Sequence, residues 1–119
     1  MVNHKEVETY LLSMPNARLD YPFGEDVAVY KIGTPPDGGK MFALIAEKTN
    51  PVRISLKCDP LLAVTLREKY ETVLEGYHLN KKHWNTIILT GQLPWEEVQG
   101  LIRHSYDLVV GENTSLLKS

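Results

Sequence analysis

The chain has 119 residues, of which 43% are hydrophobic and 24% charged, and its formal net charge is −2. That length predicts one domain, residues 1–119, with a core over about residues 3–110, and the composition excludes a disordered chain or a fibrous repeat. The longest apolar runs fall short of the roughly 20 residues that span a bilayer, and the charged start MVNHKEVETY is unlike a signal peptide. A single cysteine, Cys58, cannot form an internal disulfide, so a cytoplasmic location is expected.

The first half of the chain predicts one helix followed by several strands. Asn3 and Glu6 form a capping-box pattern, and apolar residues then recur at helical spacing over about residues 4–14. The stretches DVAVYKI, MFALIAE and VRISLKC are strand-like, and PFGED, GTPPDGGK and KTNP separate them as turns. These features predict an antiparallel meander of three or four strands.

The second half adds two helices with a strand between them. Asp59 is a suitable N-cap with Pro60 in the first turn, and LLAVTLREKYETV continues that helix. The stretch WNTIILT is strand-like, and Pro94 begins a last helix whose apolar stripe ends at Gly111. Residues 111–119 are expected to be a flexible tail.

The order of these elements predicts an α+β fold of two layers. An antiparallel sheet of about five strands would carry helices at both termini and one helix between the last strands. Helices at both ends most simply pack on the same face of the sheet. The other face is then expected to be open.

Positive charge is concentrated in the middle of the chain. Residues 51–85 hold six basic and four acidic side chains, whereas residues 1–50 hold five and seven and residues 86–119 hold two and four. The segment GYHLNKKHWNTIIL also gathers histidine, lysine, asparagine and aromatic residues before a strand. A polyanion site, if the chain has one, is expected there.

Several stretches together resemble the MmcQ/YjbR family of small bacterial proteins over about residues 3–110. They are YPFGEDVAVYKI, KMFALIAE, ISLKCDP, GYHLNKKHWNTIIL, the LP of GQLPWEEV, and LIRHSYDLVV. The resemblance implies a frataxin-like (CyaY-like) fold with a double-wing motif and a predicted DNA-binding role. The two candidate wing tips are acidic, however, because GTPPDGG contains Asp37 and PFGED contains Glu25 and Asp26.

A nucleic-acid site would combine phosphate contacts from lysines, hydrogen bonds from asparagines and stacking on an aromatic ring. Two adjacent lysines predict weak binding to DNA that depends steeply on salt. The candidate nucleic-acid-binding residues are Arg53, Lys57, Tyr77, His78, Asn80, Lys81, Lys82, His83, Trp84 and Asn85.

A structural interpretation of the same segment stays open beside the functional one. In it Trp84, Ile87 and Leu89 belong to the core, Asn80 shapes a turn, and His78 or Asn85 satisfies buried carbonyl groups. A third interpretation, a protein-interaction module that uses the open sheet face and exposed aromatic residues, also stays open.

A small-molecule or metal-dependent enzyme is the remoter alternative, and it would require His78, His83 and Cys58 or Asp59 to converge around a pocket. His78 and His83 could join Asp59 or Cys58 around a metal, but their spacing suits neither one helix face nor one strand face. Cys58 at a helix start could be a nucleophile with a histidine as base, but Asp59 beside it disfavours the thiolate. We therefore expect a non-enzymatic binding protein with no cofactor and no metal site, whose partner is DNA or another protein.

Overall fold

The structure is a computed structural model that describes residues 2–33, 39–77 and 79–118, with side chains as far as residue 111. Most of the predicted GTPPDGGK turn, including Asp37, lies outside the described residues, as does His78. The described residues form three helices and six strands. In chain order these are α1 His4–Leu12, β1 Arg18–Asp20, β2 Val27–Ile32, β3 Lys40–Ala46, β4 Arg53–Lys57, α2 Pro60–Lys69, β5 Val73–Glu75, β6 Trp84–Ile88 and α3 Trp95–Lys118.

The six strands form one antiparallel sheet in the order β1-β2-β3-β4-β6-β5. The predicted α+β fold is confirmed, with helices at both termini and α2 between the last strands. The sheet has six strands where about five were expected. Neither β1 nor β5 is among the stretches that the sequence predicts as strands, and the predicted second helix extends to Val73, the first residue of β5.

Local signals set the helix starts as predicted. The Asn3 side chain accepts a hydrogen bond from the Glu6 amide at 2.9 Å, and the Glu6 carboxylate accepts one from the Asn3 amide, which completes the capping box. One carboxylate oxygen of Asp59 accepts from the amides of Leu61 and Leu62. Each cap satisfies amide groups that have no partner inside the helix.

The end of α3 differs from the prediction. The helix passes through Gly111 and continues to Lys118, so the expected helix end at Gly111 is wrong. Glycine inside a helix costs about 1 kcal/mol relative to alanine, which weakens a helix without ending it. The sequence after Gly111 contains no proline that would stop the helix.

The main core lies between one face of the sheet and the helices. Val7 and Leu11 of α1 are fully buried there, as are Val98 and Ile102 of α3. The strand residues that meet them are Tyr30, Phe42, Ile45, Ile54 and Ile87. Within the described part of the chain no helix covers the opposite face, which agrees with the open face expected from the sequence and which we call the uncovered face.

A smaller apolar cluster lies on the uncovered face. It consists of Val29, Leu44 and Trp84, with Leu79 packed against it from the segment after β5. Trp84 was expected in the same core as Ile87, but residues three apart in a strand point to opposite faces of a sheet. The structural interpretation was therefore right that Trp84 is buried and wrong about the side on which it is buried.

Candidate functional site

Two rows of cross-strand partners form the centre of the uncovered face. Residues directly opposite one another in an antiparallel sheet share a face, so each row can be followed from strand to strand. The first row is Val29, Leu44, Ser55, Thr86 and Leu74. The second row is Val27, Ala46, Arg53 and Ile88.

A groove with a volume of about 600 Å³ lies over these rows, and we call it the sheet groove. Its floor is formed by Val27, Leu44, Ala46, Arg53, Ser55 and Thr86. The turn between β3 and β4 borders it with Thr49, Asn50 and Pro51. The end of β5 and the segment after it border it with Leu74, Glu75, Tyr77 and Leu79. A concave, largely apolar site of this volume has the usual size of a ligand pocket.

A small hydrogen-bond network fixes the floor and one border of the sheet groove. The hydroxyls of Ser55 and Thr86 lie 2.7 Å apart, and the Tyr77 amide donates to the Thr86 hydroxyl at 3.2 Å. These bonds hold the backbone of Tyr77 against the floor. Its side chain is nevertheless 75% exposed, so the ring stands at the rim.

Gly76 lets the segment after β5 lie close to β6. Its amide donates to the Trp84 carbonyl at 2.9 Å. A Cβ atom on Gly76 would lie 2.7 Å from the Trp84 Cβ and 3.1 Å from the Trp84 carbonyl oxygen. Since a side chain has no room there, glycine sets the position of this border of the sheet groove.

The two charged residues that line the sheet groove, Glu75 and Arg53, differ in whether they have an ion-pair partner. Glu75 is paired with Lys81, whose ammonium nitrogen lies 3.6 Å from the carboxylate. Arg53 is exposed on the floor, and no described residue forms a hydrogen bond or an ion pair with its guanidinium group. Among the described residues of the sheet groove, Arg53 therefore carries a positive charge without an ion-pair partner, and most of its neighbours there are apolar.

The predicted basic residues do not form one continuous patch. Lys81 and Lys82 are both exposed, but Lys81 is paired with Glu75. Arg53 and Lys57 occupy opposite ends of β4 on the uncovered face, roughly 13 Å apart along the strand. Lys57 lies opposite Trp84, away from the floor that contains Arg53.

The predicted polar residues mostly serve the fold. The side-chain oxygen of Asn80 accepts a hydrogen bond from the Lys82 amide at 2.9 Å. The backbone carbonyl of Asn80 accepts from the amides of His83 and Trp84, so this residue shapes a turn. His83 is half-buried, and its carbonyl accepts from the Cys58 amide. His78 lies outside the described residues.

Asn85 is 2% exposed and joins β6 to α2. Its side-chain oxygen accepts from the Arg67 guanidinium at 2.6 Å, and its side-chain nitrogen donates to the Ala63 carbonyl at 3.2 Å. Arg67 donates in addition to the Lys81 carbonyl at 3.2 Å. These bonds match the structural interpretation of Asn85, and they leave Arg67 occupied within the fold rather than exposed for a ligand.

The residues weighed for catalysis or metal binding lie elsewhere. Cys58 is buried, and burial raises the pKa of its thiol to about 11, with the adjacent Asp59 adding to the rise and Arg67 opposing it. A nucleophilic cysteine requires the opposite shift. The described side chains contain no group of three or more His, Cys, Asp or Glu residues placed to hold a metal ion. None of the described helices has the length and apolarity to cross a membrane.

The sequence alone does not predict the sheet groove, although the alternation within β4 indicates which of its residues share a face. Strand alternation predicts that Arg53 and Ser55 share one face of the sheet and that Ile54 lies on the other. The register and burial of β4 confirm this arrangement. Leu74 was missed because its strand was not recognised. The pairing of β4 with β6, which brings Ser55 to Thr86, joins residues 31 positions apart, and no local pattern specifies it.

Comparison with known proteins shows relatives along nearly the whole chain. The model of the family described as YjbR matches residues 12–108. The uncharacterized protein YbdF of Escherichia coli O157:H7 is 34% identical over 107 residues, which cover 90% of this chain and 84% of YbdF. The uncharacterized protein YjbR of Escherichia coli K12 is 40% identical over 70 residues, which cover 59% of each chain.

Solved structures support the same fold. A crystal structure of a Deinococcus radiodurans protein has a TM-score of 0.86 and 35% sequence identity, and the match covers 92% of this chain and 79% of that one. A crystal structure of a Pseudomonas syringae protein has a TM-score of 0.75 and 30% identity, with 91% and 99% covered. Each match covers more than nine-tenths of this chain.

Proposed function

The chain belongs to the YjbR family, and we propose that it is a non-enzymatic binding protein whose partner protein occupies the sheet groove. The observation that supports this proposal best is the groove of about 600 Å³ on a sheet face that no described helix covers. Concave apolar surface of this kind is commonly a binding site. A cytoplasmic location belongs to the same proposal.

The residue types at the sheet groove favour a protein partner. Tyr77 is 75% exposed at the rim, and Arg53 is exposed on the floor. Tyrosine and arginine are over-represented among the residues that contribute most to protein–protein affinity. Leu74 is 42% exposed beside them and adds apolar area that a partner could cover.

DNA binding is the second candidate function, and it rests on the exposed neighbours Lys81 and Lys82. Fewer side chains are available for contact with DNA than the sequence predicted. Lys81 is paired with Glu75, while Trp84 and Asn85 are buried and cannot present a ring or an amide to a nucleic acid. The remaining positive charge would give weak, salt-dependent contact with phosphates.

Site-specific photocrosslinking in cells tests the proposed partner. A benzoylphenylalanine at position 77 should form a discrete protein adduct, because that position borders the sheet groove. The matched control places the same residue at position 61, where Leu61 is 81% exposed on α2 and outside the groove. An adduct from both positions, or from neither, would contradict the proposal.

The same crosslinking method also tests the DNA hypothesis. A crosslinker at position 82 should give an adduct that nuclease treatment removes. Separately, a Lys81→Glu, Lys82→Glu double variant should lose the salt-sensitive part of its binding to short duplex DNA while its thermal transition stays nearly unchanged. Equal DNA binding by the double variant and the wild type would eliminate this site.

A further inference from the structure

We infer that the sheet groove recognises an extended peptide segment in which one acidic side chain is flanked by apolar side chains. This inference rests on the proposed function and adds the chemistry of the segment that is bound. It comes from the distribution of charge and apolar surface along the groove.

The polar groups of the groove floor lie on the central strands. Arg53 and Ser55 belong to β4, and Thr86 belongs to the neighbouring β6. Ser55 and Thr86 already share a hydrogen bond, which leaves Arg53 as the charged group that a ligand can neutralise. A carboxylate is the complementary group, because guanidinium and carboxylate form paired charge-assisted hydrogen bonds.

Apolar side chains lie on both sides of this polar centre. Leu44 and Ala46 of β3 and Val27 of β2 line one side, while Leu74 and Leu79 line the other. A ligand that fits must therefore carry apolar groups on both sides of its negative charge. Low polarity around the floor also strengthens the attraction between the two charges relative to bulk water.

The dimensions suit a short extended peptide. From β3 to β5 the floor crosses three spacings between adjacent strands, a distance of roughly 14 Å. About four residues of extended peptide cover the same distance. In an extended chain, residues two positions apart point to the same side. The matching segment therefore has one Asp or Glu with apolar residues two positions away on each side.

The negative charge of Glu75 at the border is partly offset by Lys81, whose ammonium nitrogen lies 3.6 Å from the carboxylate. The exposed Asn50 at the border offers a side-chain amide that can meet a peptide backbone. The groove has thirteen lining residues among those the structure describes, fewer than the roughly 20–30 on each side of a standard protein–protein interface. One short segment of a partner matches that size better than a broad protein surface.

Selection from a random heptapeptide library displayed on phage tests the inference with the purified full chain. Peptides with one acidic residue and apolar residues at two positions on either side should be enriched. Their affinity should fall about tenfold or more for an Arg53→Glu variant, because the charge-assisted contact is replaced by repulsion. The matched control is Lys5→Glu, which makes the same charge change at an exposed site on α1, outside the groove, and should bind these peptides as the wild type does.

Three results would overturn the inference. They are the absence of enriched peptides, enrichment without an acidic position, and equal affinity of the enriched peptides for wild type and Arg53→Glu. If one of these occurs while the position-77 adduct forms, the proposed function stands and the recognition chemistry is wrong. If that adduct is absent, the proposed function fails independently of the library.

Discussion

The side-chain amide of Asn85 lies in the interior, where it connects β6 with Ala63 and Arg67 of α2. Replacing it with alanine leaves the Ala63 carbonyl and one Arg67 donor without that partner. Each unsatisfied buried polar group costs about 1–3 kcal/mol. We therefore expect Asn85→Ala to lower the free energy of unfolding by roughly 2–4 kcal/mol in urea denaturation.

Lys82→Ala is the control for that measurement, because Lys82 is exposed in the same segment. A surface substitution of this kind should stay within about 0.5 kcal/mol of the wild type. If Asn85→Ala and Lys82→Ala have equal stability, the amide does not support the fold as described. The sequence did offer this structural role for Asn85, but only the packing of α2 on β6 distinguishes it from ligand contact.

The Cys58 thiol gives the protein a defined alkaline response. Its ordinary pKa of 9.0 is raised to about 11 in the folded chain by burial and by Asp59. The folded thiol therefore holds its proton more tightly than the unfolded thiol. The contribution of this protonated thiol to the free energy of unfolding is fully present below pH 9.0, and it is lost as the pH rises toward about 11. The free energy of unfolding should therefore fall over that interval.

A Cys58→Ala variant isolates this contribution from the tyrosines, since burial also raises the pKa of Tyr30. The decline between pH 9.0 and about 11 should be shallower in the variant than in the wild type, as measured by denaturation at each pH. Parallel curves for the two proteins would show that the thiol titrates normally. A normal or lowered pKa would also reopen the catalytic interpretation of Cys58.

At the scale of the elements, Gly76 links β5 to the segment that borders the sheet groove. Gly76→Ala would place a methyl group 2.7 Å from the Trp84 Cβ, so the segment must move away from β6. Overpacking of this kind typically costs about 1–3 kcal/mol. We expect a lower thermal midpoint and faster amide hydrogen exchange at Tyr77, whose amide bonds to Thr86.

Gly100→Ala, in α3, is the corresponding control. The nearest contact of an added Cβ there is 3.7 Å from the Arg103 guanidinium, an ordinary distance, and alanine favours a helix over glycine. Its thermal midpoint should stay the same or rise. A Gly76→Ala protein as stable as the wild type, with unchanged exchange at Tyr77, would contradict the close approach.

The elements show which parts of the fold the sequence specifies locally. The caps of α1 and α2 depend on residues within four positions of each other, so Asn3 and Asp59 were assigned correctly. The three-residue β5 is too short to display alternation, and its pairing with β6 exists only in the folded sheet. Glycine is common just after helix ends but also occurs within helices, so Gly111 alone does not specify where α3 ends.

At the scale of the whole molecule, one sheet face is covered by helices and the other carries the sheet groove. The net charge of −2 and the pairing of Lys81 with Glu75 leave little positive field for nucleic acid. The open face followed from the order of the elements. The groove itself did not, because β3, β4, β5 and β6 contribute floor and border residues from distant parts of the chain.

Competition for the position-77 adduct is the most direct test that the sheet groove is the binding site. An Ala46→Trp variant places a large ring on the half-buried floor between Val27 and Arg53, where it should fill the groove. Circular dichroism and thermal melting first establish that the variant is folded. The protein with the crosslinker at position 77 is then mixed with an excess of a competitor that lacks the crosslinker. Wild-type competitor should suppress the adduct, and Ala46→Trp competitor should not. Equal suppression by both proteins would mean that the partner binds elsewhere on the molecule.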